Sequence, residues 1–174
     1  MNTAGLPPEI DLDALGAGEW HWSGRIPGEW LGRLSEAVHR VAWAEAEVRI
    51  IRDYGPPLIQ GRARAGVDPV CERCLKPFET EIEVEFEGRG VAALTHTDNA
   101  GEAIEEIQLA GGRLDLRELL EDELMLALPV VPRHEDEQCD GGHRSFGPEA
   151  APTDKVSPFS VLESLRSRNR DSDD

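Results

Sequence analysis

Three cysteines and a nearby histidine are the residues of this chain whose spacing best suits chemistry. Cys71 and Cys74 enclose two residues in "CERC". Cys139 follows much later in "PRHEDEQC", which also contains His134. Such a set can hold a metal ion, exchange disulfides, or amount to a tight turn between two strands. Each of these interpretations requires different surroundings.

A metal site is the first interpretation of these residues. A Cys-x-x-Cys pair is a common half-site for tetrahedral zinc, and two further ligands must close it. The sequence offers Cys139 with His134 before it and His143 after it, so Cys71, Cys74, His134 and Cys139 are predicted to hold one structural zinc ion, with His143 as the alternative fourth ligand. Without a metal, the cysteines are small residues in a turn.

Redox catalysis requires a different setting from the one that surrounds this pair. A reactive Cys-x-x-Cys places its first thiolate at a helix N-terminus, which lowers the thiol pKa. Here "LKPF" leads instead into a run studded with glutamates. The chain also contains no phosphate-binding glycine loop, nucleophile elbow or His-Glu-x-x-His motif. We therefore expect a protein that is not an enzyme and has no catalytic residues.

Three runs of alternating apolar and polar residues surround the cysteine pair, at residues 44–50, 59–67 and 78–86. A period of two is typical of strands with one buried and one solvated face. The runs predict an antiparallel meander with the cysteine pair at a hairpin tip. The third run carries a row of outward glutamates, called here the glutamate row: Glu79, Glu81, Glu83, Glu85 and Glu87. Arg62 and Arg64 are predicted to lie roughly opposite Glu83 and Glu81.

Two amphipathic helices complete the predicted elements. Asp115 and Glu118 form an Asp-x-x-Glu capping box for "LRELLEDELMLAL", which Pro129 ends. Its leucines form the buried stripe, and residues 121–123 are predicted to be mostly solvated. The other helix is "PGEWLGRLSEAVHRV". The four tryptophans, Trp20, Trp22, Trp30 and Trp43, are interpreted as core residues, with a platform for stacking nucleic-acid bases as the alternative.

The predicted fold class is α+β, with a single domain. We expect an antiparallel sheet of roughly five strands, helices packed on one face, and a loop-rich C-terminal segment. The first 150 residues would form the domain, and residues 151–174 a tail with a short amphipathic helix at about 157–168. An odd number of cysteines, no signal peptide and no membrane-spanning stretch favour a cytoplasmic location.

The net charge of −17, from 35 acidic and 18 basic residues, bears on partners. Proteins that neutralise phosphates over a broad face normally carry a basic stripe, so direct nucleic-acid binding of that kind is not expected. An electronegative surface attracts a basic partner. The alternative is that the charge serves solubility alone.

Several segments, in order, closely resemble one known family. "CERCLKPF", "DLRELLEDELMLALPVVPRHEDEQC" and "SPFSVLESLR" resemble the bacterial YceD family, the large ribosomal RNA subunit accumulation proteins. The similarity runs from about residue 28 to residue 166. We expect residues 1–150 to form the YceD-like domain. It implies a role in synthesis, processing or stability of 23S ribosomal RNA, and no known enzymatic activity.

Charge and resemblance together suggest how such a protein acts. We expect a basic protein partner, such as a large-subunit ribosomal protein or a maturation factor, with the glutamate row as its contact. The alternative for the row is a plain solvated strand face. The alternative for the whole protein is a direct RNA-binding or RNA-processing factor.

Overall fold

The structure is a computed structural model that describes residues 5–92, 105–135 and 139. The expected domain boundary at residue 150, the tail helix at 157–168 and His143 lie outside the described residues. No helix in the described part of the chain is long and apolar enough to cross a bilayer.

β-strands are the commonest regular structure in the described chain. The strands are β1 (Glu9–Asp11), β2 (Gly18–Arg25), β3 (Arg40–Arg52), β4 (Leu58–Asp68), β5 (Thr80–Val91), β6 (Glu105–Gln108) and β7 (Arg113–Asp115). The helices are α1 (Gly32–Ala37) and α2 (Leu116–Leu126), and a single 3-10 turn (Gly28–Trp30) precedes α1. One sheet has five strands in the order β2-β3-β4-β5-β6, and β1 and β7 form a separate two-stranded ribbon.

The five-stranded sheet is mixed, so the prediction of a purely antiparallel sheet was wrong. β2 to β5 form the expected antiparallel meander, but β6 runs parallel to β5, with Gly88 opposite Glu105 and Val91 opposite Gln108. Alternation of apolar and polar residues reports which face of a strand is buried and says nothing of strand direction. The sequence of β6, a strand of four residues, therefore did not indicate whether it would run parallel or antiparallel to β5.

The inner face of the sheet forms the core with α2. Val48, Ile50, Ile59, Ala63 and Ala65 are fully or almost fully buried on β3 and β4, as their alternation predicts. α2 packs against β4 and β5. Its buried stripe consists of Leu116, Leu120 and Leu124. The Asp115 side chain accepts a hydrogen bond from the Glu118 backbone N–H at 3.0 Å, which is the predicted N-cap.

Glu121 is buried, with 7% exposure, although it was predicted to be solvated. Its carboxylate accepts hydrogen bonds from the backbone N–H groups of Arg33 at 2.7 Å and Leu34 at 3.3 Å, and from Arg33 Nε at 2.9 Å. α1 has no side-chain cap of its own, so α2 supplies one from across the core. A binary pattern cannot reveal such a bond because both partners are polar residues far apart in sequence.

Of the four tryptophans, Trp22 is buried and Trp20 and Trp30 pack partly against the core, but Trp43 is 37% exposed. Interpreting Trp43 as a core residue was therefore wrong. It lies next to a β-bulge, in phase with the charged residues of β3. Its indole covers Gly66 on the solvated face, where an added Cβ would come within 2.3 Å of Nε1. A glycine at position 66 is what leaves room for the ring.

Candidate metal centre and glutamate row

A tight turn at residues 71–76, called here the knuckle, joins β4 to β5. The Cys71 N–H donates to the Lys76 carbonyl at 2.9 Å, and the Leu75 N–H donates to the Cys71 carbonyl at 2.8 Å. Leu75 has φ 60, in the left-handed region that costs a branched residue roughly 1–2 kcal/mol. The surrounding contacts must hold the knuckle in this conformation.

Part of the chain that follows α2, residues 132–135 and Cys139, lies against the knuckle. The Glu72 N–H donates to the Pro132 carbonyl at 3.0 Å. The His134 ring lies 4.7 Å from the Phe78 ring, measured between centroids. These contacts carry the chain that follows α2 back to the hairpin tip. The two parts of the predicted site, distant in sequence, therefore meet.

The structure brings together Cys71, Cys74, His134 and Cys139, with one ligand atom of each within 4.8 Å of the others. Cys71 Sγ lies 3.8 Å from Cys139 Sγ, and Cys74 Sγ lies 3.4 Å from His134 Nδ1. With Zn–S bonds near 2.3 Å and Zn–N bonds near 2.0–2.1 Å, the edges of a zinc tetrahedron are about 3.8 Å and about 3.5 Å. The observed distances match both edges. They are far longer than a disulfide of about 2.05 Å.

The pKa values of the two buried thiols in the cluster are shifted in opposite directions. Burial opposes ionisation of Cys71, but backbone N–H groups of His134, Cys74 and Arg73 point at its sulfur and bring its pKa down to about 5. Burial and the neighbouring thiols raise the pKa of Cys139 to about 11. Backbone donors around a ligating sulfur are typical of the outer shell of metal–thiolate sites. Backbone groups of the knuckle and of His134 therefore stabilise one thiolate, which lies among the other candidate metal ligands.

All four positions of a tetrahedral ion at this centre would be filled by protein. Cys71 and Cys139 are buried, and Cys74 and His134 are half-buried. A closed site of this kind holds chain segments together, whereas a catalytic zinc site keeps a position for water or substrate. The arrangement suits a structural metal.

The glutamate row lies on the solvated face of the sheet, as predicted, and each of its members contacts a neighbouring polar side chain. The pairs are Glu79 with Arg40 at 3.3 Å, Glu81 with Arg64 at 3.7 Å, Glu83 with Arg62, Glu85 with Arg62 at 3.9 Å, and Glu87 with Gln60. Exposed pairs of this kind contribute little stability singly. Because five carboxylates share three arginines, the row keeps a negative surplus.

The register of β4 against β5 differs by two residues from the prediction. Arg62 lies opposite Glu85 and Arg64 opposite Glu83. The prediction centred the turn midway between Cys71 and Cys74, whereas the observed turn is centred one residue later. The predicted pairs of Arg62 with Glu83 and Arg64 with Glu81 nevertheless form, diagonally. Long side chains reach diagonal neighbours on a strand, so the electrostatic contacts survive the shift.

Fold and site together define an α+β protein in which a cluster of three cysteines and one histidine ties a distant segment to a hairpin tip. Residues 59–166 match the family model described as "Large ribosomal RNA subunit accumulation protein YceD". The chain is 32% identical to a protein of that name from Haemophilus influenzae, over 97% of this chain and 100% of the relative. This chain therefore belongs to the YceD family. No solved structure matches it.

Proposed function

We propose that this protein supports the accumulation of 23S ribosomal RNA by binding a basic protein partner, without catalysing a reaction. The observation that carries the proposal is the match to a family named for large ribosomal RNA subunit accumulation, together with a relative that aligns along its full length. The expected location is the cytoplasm, where ribosomal RNA is made.

The partner's chemistry follows from the charge of the solvated face. The net charge of −17 repels phosphate, so a direct grip on RNA over a broad surface is unfavourable. Glu79, Glu81, Glu83, Glu85 and Glu87 stand in one exposed line and retain a negative surplus after their arginine contacts. A large-subunit ribosomal protein or a maturation factor with a basic segment fits this surface.

We also propose that Cys71, Cys74, His134 and Cys139 hold one structural zinc ion. Thiolate and imidazole ligands favour zinc over harder cations. Two distances within the cluster, Cys71 Sγ to Cys139 Sγ and Cys74 Sγ to His134 Nδ1, match edges of a zinc tetrahedron and support this assignment. The ion would fix the segment after α2 on the hairpin tip.

Partner capture from cell lysate tests the proposed role. Wild-type protein is compared with a triple variant, Glu81→Lys, Glu83→Lys and Glu85→Lys, and with a control triple of equal charge change, Glu29→Lys, Glu36→Lys and Asp53→Lys. We expect wild type and control to capture the same basic large-subunit factor, and the first variant to lose it mainly through slower association. Added salt should weaken the wild-type capture.

Two results would contradict this proposal. One is a folded variant with Lys at residues 81, 83 and 85 that captures the same factor as wild type and restores normal levels of large subunits. The other is tight, salt-sensitive binding of purified protein to 23S ribosomal RNA with no protein partner present.

A further inference from the structure

Among the described residues, β5 has a strand neighbour on only one side along most of its length. β4 pairs with β5 from residue 80 to residue 89, whereas β6 pairs only with residues 88–91. Within the described ranges, residues 80–87 therefore form an open edge of the sheet. The glutamate row stands on this edge.

The backbone groups that point to the open edge belong to the glutamates. Antiparallel strands bond through alternate residues. The N–H of Phe78 donates to Pro69 O at 3.1 Å and that of Gly90 to Pro57 O at 2.8 Å, so even-numbered residues of β5 bond to β4. On the other side, Leu109 N–H donates to Val91 O at 2.8 Å, so odd-numbered residues face away from β4. The N–H and C=O groups of residues 81, 83 and 85 thus face the open edge.

The side chains beside this edge differ between its two faces. On the solvated face, the side chains of Glu81, Glu83 and Glu85 are 53%, 40% and 78% exposed. On the inner face, Val84 stays half-buried between the buried Ile82 and Phe86. Every second side chain of a strand added here would lie beside the carboxylates on the solvated face. The side chains between them would lie beside the apolar residues of the inner face.

A second copy of this chain and RNA are both poor occupants of the edge. Two β5 edges paired together would place glutamates opposite glutamates, which destabilises a strand pair. Phosphates would meet the same carboxylates. Lysine or arginine at alternate positions of an extended segment would instead lie opposite the row, while its backbone bonds to residues 81, 83 and 85.

We propose that the basic partner adds an extended segment to this edge of β5 as a further β-strand, with basic and apolar residues in alternation. This inference rests on the proposed function, because it assumes that the glutamate row is the contact. It adds that main-chain hydrogen bonds supply affinity and that alternating side chains supply selectivity, as in other strand-addition complexes.

Amide hydrogen exchange of the full chain tests strand addition directly. The probe is an end-capped synthetic peptide of alternating Lys and Val, and its control is a peptide of the same composition with the lysines in one block. In free protein we expect slow exchange at residues 82, 84 and 86 and fast exchange at residues 81, 83 and 85. The alternating peptide should slow exchange at residues 81, 83 and 85 at least about tenfold, because each of these amides gains one main-chain hydrogen bond. The block peptide should not.

Two exchange results would overturn the proposal. Slow exchange at residues 81, 83 and 85 in free protein would show that the edge is already paired. Unchanged exchange at these amides with the alternating peptide bound would show that contact is through side chains alone.

A pair of variants at one position separates the edge from the charge. Glu83→Gln removes the charge and keeps the N–H, whereas Glu83→Pro removes both, and proline is tolerated where the N–H faces away from the neighbouring strand. We expect Glu83→Pro to bind the alternating peptide about five- to tenfold more weakly than Glu83→Gln. Equal affinities would overturn strand addition.

The same pair tells this failure apart from failure of the proposed function. If the triple Lys variant loses the cellular partner while both Glu83 variants bind it equally, the row is the contact but the edge is not. If the triple Lys variant keeps the partner, the proposed contact itself is wrong, and strand addition at this edge is wrong with it.

Discussion

The candidate metal centre and the solvated face of the sheet are adjacent in the fold but are held together in different ways. β3, β4 and β5 share long ladders of backbone hydrogen bonds and bury a continuous apolar face. The described residues of the following segment, 132–135 and Cys139, contact the knuckle through a backbone bond from Glu72, a ring contact with Phe78 and the cluster itself. A repeated pattern holds the sheet, whereas a few side chains hold the centre.

This difference predicts separate responses to perturbation. Charge reversal along the sheet removes exposed pairs that contribute little to stability. Loss of a ligand at the centre removes most of what fixes a long segment, while the core beneath remains intact. The sheet should therefore tolerate changes on its surface, and the candidate metal centre should be disrupted as a unit without unfolding the sheet.

The largest expected effect is local, and follows removal of the proposed zinc ion. Chelation should bring amide exchange at residues 72 and 139 close to that of an unfolded chain, because loop entropy then opposes the contact. Amides of Val48 and Ile50 on β3 should stay protected. Cys74→Ser should act like chelation, and His39→Ala, which changes an exposed histidine outside the cluster, should not. Loss of protection throughout β3 on chelation would show that the two regions depend on each other.

The next effect in size concerns Glu121, which joins the two helices. Glu121→Ala leaves the Leu34 N–H buried without its acceptor, so we expect a loss of about 1–3 kcal/mol in the free energy of unfolding. Asp122→Ala is the matched control, since Asp122 contacts the same Arg33 at 2.6 Å but its side chain is 48% exposed. Its loss should stay below about 1 kcal/mol. Urea denaturation measures both, and equal losses would contradict the buried cap.

The smallest effect depends on pH. Partial burial and the charges of Glu105 and Asp122 raise the pKa of Glu123. A raised carboxyl pKa means that the charged form is disfavoured in the folded state, so the cost is present at neutral pH and disappears as the pH falls below the unfolded-state pKa. Glu123→Gln should therefore stabilise the protein slightly at pH 7 and leave it unchanged in acid. Urea denaturation at both pH values checks this, and a destabilised variant at pH 7 would contradict it.

Sequence reasoning performed unevenly in the two regions for physical reasons. The alternation of β3, β4 and β5 was predictable because burial imposes a period of two on every residue. The grouping of Cys71, Cys74, His134 and Cys139 was predictable because few residue types can complete a zinc site. The parallel direction of β6 and the burial of Glu121 were not predictable, since alternation does not report strand direction and no residue type identifies the partner of a buried glutamate. The exposure of Trp43 could have been predicted, because Trp43 and Glu45 are two residues apart on one strand and therefore point to the same face. The prediction gave more weight to the apolar character of tryptophan.

Metal analysis with thiol titration tests the account most directly, on protein purified without a histidine tag. The account predicts about one zinc ion per chain, three thiols that react slowly until chelator is added, and no zinc in Cys74→Ser. Protein that carries no metal, takes up none, and has three freely reactive thiols would contradict the metal centre and leave the knuckle as an ordinary turn.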